Sequence, residues 1–489
     1  MINYFIKFIL ILLLIFTPIA FGSMEIWAFS LMELGILLII ILWAIQSIIA
    51  RKSAIRNLQF SIGLNSEPQT PNSLFSTLNS KFILSLLILF LCLILLQMIP
   101  LPSGMIKIIS PKTFELRSTL SFELSALSFQ LSSKNSSFPV SFVPFLTRIE
   151  FFKWLTLSGL FLFLLNWKPS NRGSDIRHLI PVIMLVGIAE SLYGMFEFFS
   201  GHRYILHIDG SSLISSVTGT FINRNYFAGY LLMVIPLSIG YLFSRESFQM
   251  GRFSGWRNRL TSLDGKTALI AFGIILMILA LLFSASRMGI SGLVLSFSLT
   301  SFLFRDPRRE RRFSRTTVLI FGLAVLWAVW IGLDAVISRF FSVSESFGDR
   351  WTIWVNTFQI FKDFRLFGSG LGTFVQVFPM YRSFHILGLY THAENDFLQL
   401  ASEVGLIGIG PLLFVFAFLF FRAVLAIRSF HSRDLKKYIG MGGLVGVLAL
   451  VFHSIVERNI QVPANAFLFT FIWAVVLKIP SYEKKSFSH

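Results

Sequence analysis

The polar residues of this chain fall into a few short stretches. The densest is THAENDFLQL, Thr391 to Leu400, where a histidine, two carboxylates, an asparagine and a glutamine stand together. It runs straight into the apolar ASEVGLIGIGPLLFVFAFLFF. Histidine is the side chain whose ordinary pKa lies nearest neutrality, so His392 suits a general base that takes a proton from a hydroxyl. Thr391 and Glu394 have the T-x-x-E spacing of a capping box, which gives Glu394 a structural reading beside a chemical one. With a helix starting there, His392, Asp396, Gln399 and Glu403 would share one face, with Asn395 beside them. Ionisable groups inside apolar segments are costly and usually face a cavity or a partner.

Three arginines stand next to short glycine- or asparagine-bearing turns: Arg224 in GTFINRNYFAGY, Arg287 in FSASRMGIS and Arg350 in SFGDRWTIW. Each has a plain reading, in which it snorkels to lipid headgroups. A planar guanidinium that cannot lose its charge also suits phosphate oxygens. A last polar stretch, FHSIVERNIQVPANAF, carries His453 and Glu457 four apart. That spacing suits either a His–Glu pair at a helix end or a second part of a site. No P-loop, H-E-x-x-H, G-x-S-x-G or Cys/His metal spacing occurs, so we expect no metal and no cofactor, with any phosphate met by arginine.

The elements that must position these groups are set by composition. Of the 489 residues 55% are hydrophobic and 13% charged, where soluble domains carry about 25% charged residues. Apolar runs recur along the whole length, and the alternating ten-residue segments of a β-barrel do not. The reading is an all-α polytopic membrane protein of about twelve transmembrane helices: 5–22, 27–49, 82–102, 149–167, 178–199, 225–243, 267–283, 288–304, 316–335, 397–421, 438–456 and 463–479. The first reads as an uncleaved helix, not a signal peptide. Cys92, the one cysteine, reads as a small core residue.

The net charge of +18 would suit nucleic acid if it were spread over a surface. Instead the basic residues gather in loops 50–81, 168–177, 244–266, 305–315 and 422–437, which alternate along the chain. That is the positive-inside pattern, so these loops and both termini are expected in the cytoplasm, with no nucleic-acid partner. The opposite side holds the Ser-rich 103–148, which has no chemical signature, then 200–224, then a large loop, 336–396. In RWTIWVNTFQIF, the apolar residues Trp351, Trp354, Val355, Phe358 and Phe361 have helical spacing, which predicts an amphipathic helix in the outer interface. GSGLGTF, 368–374, should end it, and GLIGIGP, 405–411, should bend or break the helix that follows. The chain reads as one membrane domain over 1–489.

These stretches resemble, in order, the blocks of the O-antigen ligase-like superfamily of polytopic glycosyltransferases, over residues 178–480. The most specific is THAENDFLQLASEVGLIGIGPLLF. GTFINRNYFAGYL, SASRMG, DRWTIWVNTFQIFKDFRLFGSGLGTF and HSIVERNIQVPAN are similar to the others. The resemblance implies a GT-C-type fold and an outer-face active site. It implies transfer of a glycan from undecaprenyl diphosphate to an acceptor hydroxyl, inverting and without a metal. It also implies that Arg224 and Arg287 hold the donor diphosphate and that His392 activates the acceptor. Glu457 stands where many relatives have aspartate, and Tyr226 replaces a histidine.

The expected catalytic residues are therefore His392, Glu394 and Glu457, and the diphosphate-binding ones Arg224, Arg287 and Arg350. Asn225, Asn395, Gln399, Glu403 and His453 are the expected supporting residues. The first expectation is an O-antigen ligase with a lipid A-core or similar glycan acceptor, in the bacterial inner membrane with its active site facing the periplasm. A polymerase of the same superfamily and, from another class, a bicarbonate-type transporter are the alternatives. A transporter would place polar residues near the midplane of several spans, whereas these concentrate at the outer ends.

Overall fold

A computed structural model of the chain describes residues 2–60, 77–127, 137–167, 176–202, 204–209, 216–245, 264–304, 322, 343–384, 390–430 and 436–478. Its helices, in chain order, are α1 (Ile2–Ile19), α2 (Ile26–Phe60), α3 (Thr77–Met98), α4 (Ser103–Ile109), α5 (Pro111–Leu127) and α6 (Pro144–Asn166). There follow α7 (Ile180–Ser200), α8 (Arg224–Phe243), α9 (Gly265–Phe283), α10 (Arg287–Leu303) and α11 (Val343–Asp363). The one-turn α12 (Phe374–Val377), α13 (Asp396–Arg428), α14 (Lys436–His453) and α15 (Pro463–Lys478) complete the set. The only strands among the described residues are two short antiparallel pairs, Leu101–Pro102 with Ser137–Phe138 and Tyr204–Ile205 with Ile208–Asp209.

The chain is an all-α polytopic membrane protein. Among the described residues seven helices are long and apolar enough to cross a membrane, namely α1, α2, α6, α7, α8, α9 and α13. Phe82–Met98 and Pro463–Lys478 are apolar but shorter. All of the expected span 316–335 except Gly322, and the basic cluster 305–315, lie outside the described residues. The other expected spans each coincide with a helix.

Apolar side chains sort by what they face. Leu31, Ile41, Phe272, Leu295, Phe414 and Leu425 are exposed, as a surface against hydrocarbon requires. Cys92 joins them on the exposed side of α3, which corrects its expected place in the core. By contrast, α8 is buried along nearly its whole length, from Tyr226 to Phe243, and a helix apolar all round belongs at the centre. α14 closes on α8 through glycines. A Cβ at Gly442 would stand 2.3 Å from the Pro236 carbonyl oxygen, and one at Gly446 would stand 2.9 Å from that of Met233. The small residues let two backbones touch, the usual way membrane helices gain packing.

α13 is broken where expected, at Gly405, whose φ of 64° lies in the left-handed region. The break is braced from outside. Leu406 and Ile407 donate to the Arg365 and Leu366 carbonyls, and Gln97 of α3 donates to the carbonyls of Phe367 and Glu403. α11 buries Ile353, Thr357 and Ile360 and leaves Trp351, Val355 and Phe358 exposed on the other side. It ends at Asp363, one turn before the glycines expected to stop it. Those glycines, Gly368, Gly370 and Gly372, all have positive φ and form a separate loop packed on the α13 break. The segment 103–148 is not featureless: it carries α4 and α5, and Arg117 ties it down by donating to the Ser141 and Phe142 carbonyls.

Candidate active site

Three helices begin at one place, each on a short polar cap. Asn223 accepts from Asn225 N–H at 2.8 Å and starts α8 at Arg224. Ser286 accepts from Gly289 N–H at 3.3 Å and starts α10 at Arg287. Asn395 accepts from Leu398 N–H at 2.9 Å and starts α13. Such caps satisfy backbone donors that the first turn leaves open. The expected T-x-x-E box is therefore not what caps α13. Glu394 sits before the cap with φ 52°, a conformation an L side chain rarely adopts, so it cannot be the third residue of a helix. His392 likewise lies in the loop before α13 rather than on its face, whereas Asp396, Gln399 and Glu403 do share a buried face.

That face holds the surrounding loops. Asp396 Oδ2 accepts from Asn459 and Ile460 N–H, both at 2.7 Å. Gln399 Oε1 accepts from Ala393 N–H at 3.1 Å, next to His392, and its amide donates to Glu403 and Gln461. Glu403 accepts from the N–H groups of Gly372 and Phe374 in the glycine loop, at 2.9 and 3.2 Å.

The stretch after α14 supplies the other wall. His453 is fully buried, with Nδ1 against Asn459 Nδ2 at 3.0 Å and Nε2 against Ser286 Oγ at 3.4 Å. Asn465 donates to Asn459 Oδ1 and to the Tyr226 carbonyl, each at 3.0 Å, so α8, α10, α14 and α15 meet in one polar network. His453 and Glu457 do not pair with each other. Glu457 instead accepts from Arg350 Nη2 at 2.5 Å. Arg458, next in line, donates to His392 Nε2.

The charges of this wall are strongly perturbed. Burial, and then the Arg458 charge, hold the His392 imidazole far below its usual range, so it is neutral at physiological pH. Burial also pushes the Glu457 carboxyl well up, against the pull of Arg350 and with the push of the neighbouring Glu394 carboxyl. A neutral histidine among carboxylates and guanidinium groups is equipped for proton transfer next to an anion once its Nε2 is free of Arg458. Among the described residues no three His, Cys, Asp or Glu side chains form a metal-binding group.

Beside the polar wall lies an apolar pocket of about 170 Å³. Trp154, Phe397, Leu400, Leu413, Phe416 and Phe469 line it, and Asp396, Glu403, Glu150 and Gln461 stand along it. It joins the site to the apolar body of the protein and suits a ligand that is part charged and part hydrocarbon.

The structure brings together His392, Glu394, Glu457, Arg350, Asn395, Gln399, Glu403 and His453, and puts Arg224, Asn225 and Arg287 at the first turns of the two helices that adjoin them. Sequence reasoning missed Arg458, although it is an arginine in a short polar turn like the three singled out. It also missed Asn459, Asn465 and Asn223. It missed Glu190 of α7 too, whose carboxylate accepts from Thr220 N–H at 2.9 Å and so holds the turn before Arg224. The asparagines lie inside the motifs already noticed, whereas nothing near Glu190 in sequence marks it.

Residues 272–413 match the family model for O-antigen ligase. The match spans Arg287, Arg350, His392, Glu394, Gln399 and Glu403, while Arg224, His453 and Glu457 lie outside it. No curated protein matches the chain.

Proposed function

We propose, from the premise that residues 272–413 carry the O-antigen ligase pattern, that this protein transfers a glycan from undecaprenyl diphosphate to a sugar hydroxyl. The family supports O-antigen ligase or polymerase-type activity in general. The acceptor we assign is a lipid A-core or similar glycan, and the place is the periplasmic face of the inner membrane. Twelve spans with both termini in the cytoplasm put the 336–396 loop and the polar wall on that face.

In this mechanism the acceptor oxygen attacks the anomeric carbon and its proton passes to His392 Nε2. The bond from that carbon to the diphosphate oxygen breaks, and its electron pair leaves on the diphosphate. Attack opposite the leaving group inverts the centre. Arg224 and Arg287 meet the charge that develops on the diphosphate, where preorganised cations are worth most. Arg350 fixes Glu457, which with Glu394 steadies the acceptor and the loop of the base. The isoprenoid chain lies in the apolar pocket, so the diphosphate meets the wall at the interface.

The observation that carries this reading is a neutral, half-buried His392 bonded to Arg458, in the polar turn whose neighbours Tyr226 and, through Asn459 and His453, Ser286 open the two helices that bear Arg224 and Arg287. Deletion of the gene followed by analysis of surface lipopolysaccharide tests it. Loss of polymer from the core with lipid-linked polymer accumulating is the expected result. Single repeat units on the core would make it a polymerase. An unchanged surface with altered solute uptake would make it a transporter.

A further inference from the structure

Arg458 is placed oddly for a structural arginine. Its guanidinium donates to the neutral imidazole of His392, its Nε–H is buried without an acceptor, and among the described residues no carboxylate lies within ion-pairing distance of it. The buried Tyr226 hydroxyl at the start of α8 also hydrogen-bonds it. A half-buried cation with only neutral acceptors, His392 and Tyr226, for its fork is under-satisfied. Its contact also takes the one lone pair that His392 needs as a base. An imidazole whose Nε2 accepts from arginine carries its proton on Nδ1 and cannot accept another at Nε2 until the arginine leaves. The residue therefore blocks the chemistry of the empty site, and it has good reason to move once a better anion arrives.

We propose that Arg458 is a further diphosphate-binding residue, and that its passage from His392 to the donor's diphosphate releases the base. This rests on the transferase reading of the site. The exchange is favourable because a guanidinium fork gains two bonds to charged phosphate oxygens in place of its bond to a neutral imidazole nitrogen. It couples occupancy to reactivity: His392 is free to accept a proton only when a diphosphate is present. The charged groups around His392 are Arg458 and Glu457 from the stretch after α14, Arg350 from α11, Lys153 from α6, Glu394 in its own loop and Asp396 at the start of α13. Of these, Arg458 alone is bonded to the ring.

The test is carbethoxylation of His392 by diethyl pyrocarbonate in the full-length protein in nanodiscs, read by mass spectrometry of its peptide, with inorganic pyrophosphate as the anion. The reagent needs a free imidazole lone pair. In the wild type without pyrophosphate, labelling should be slow; Arg458→Gln should speed it about tenfold or more, the least a hydrogen bond from a charged donor is worth. Pyrophosphate should raise the wild-type rate and leave that of Arg458→Gln unchanged. Arg458→Lys, which keeps charge without the fork, should fall between them. Equal labelling of all three proteins, or slowing by pyrophosphate in both wild type and Arg458→Gln, would overturn the proposal. Thermal unfolding of each variant checks that the fold persists. Transfer by His392→Ala distinguishes the two levels. If that variant still transfers glycan, the transferase reading of His392 fails; if it is dead while the labelling pattern fails, only the role of Arg458 does.

Discussion

Replacing His392 by alanine should separate chemistry from structure. A general base contributes roughly 10²–10⁴ in rate, or about 2.7–5.4 kcal/mol of transition-state stabilisation. Against that, the ring's one hydrogen bond among the described residues is to Arg458, worth roughly 1.5–3 kcal/mol to the fold at most. Transfer should therefore collapse while folded protein remains. The same variant should change how stability depends on pH. In the unfolded chain the imidazole titrates near 6.5, and in the fold it is held far below that. The unfolded state binds the proton first as pH falls, so the contribution of His392 is complete above pH 6.5 and is lost on acidification. At pH 5, one and a half units below the unfolded value, that loss is about 2 kcal/mol. Thermal or denaturant unfolding in detergent at pH 7 and pH 5, with wild type and His392→Ala side by side, measures it. The wild type should lose about 2 kcal/mol more than the variant between the two. Identical pH dependence would refute the neutral, half-buried imidazole, and wild-type transfer by the variant would refute the base.

Other substitutions test the supports of the site. Gly405→Ala puts a Cβ 2.2 Å from the Leu366 carbonyl oxygen at a φ of 64°; it should cost more than about 1 kcal/mol, and an unchanged melting temperature would show that the break in α13 is soft. Gln399→Leu removes the acceptor of Ala393 N–H, should cost about 1–3 kcal/mol, and should lower kcat more than it raises the donor KM; normal kcat would mean that the His392 loop needs no such anchor. With Cys92 changed to serine, a cysteine at Ser383 should be labelled by a membrane-impermeant reagent from outside and one at Lys266 spared; the reverse pattern would invert the whole topology.

Much of the scaffold was legible because its signals are local. Apolar runs of membrane length mark the helices, and Gly405 marks the break because only glycine takes its φ without strain. The starts of α8 and α10 at Arg224 and Arg287 were legible to within a residue, since each apolar run stops at a polar turn. The start of α13 was misread for a physical reason. Two N-caps compete within five residues, and the Asn395 side chain reaches Leu398 N–H, which leaves Thr391 and Glu394 outside the helix. The site itself depends on contacts that no local pattern encodes. Gln97 meets the Glu403 carbonyl across 306 positions of chain. Arg458 meets His392 across 66. His453 and Glu457 have the spacing of a pair, but α14 ends at His453, and each finds a partner on another element.

The buried face of the first two turns of α13 explains how such scattered loops are held. Three polar residues there accept backbone N–H groups from three different segments. Asp396 takes those of Asn459 and Ile460, Gln399 that of Ala393, and Glu403 those of Gly372 and Phe374. Loops that carry functional side chains gain precision when a rigid element fixes them, and a helix face gives acceptors at regular intervals along its axis. In an apolar body an unmade hydrogen bond is expensive, so each acceptor dictates where its loop must lie. The break at Gly405 then lets this short polar helix turn away from the apolar span that continues to Arg428. A straight α13 would have to run its polar face on through the membrane or give up one of the loops. The polar cost of THAENDFLQL is thus offset locally. Of its polar side chains, His392 and Glu394 face the wall, and Asp396 and Gln399 hold the loops that bring Arg458, Glu457 and His392 to it.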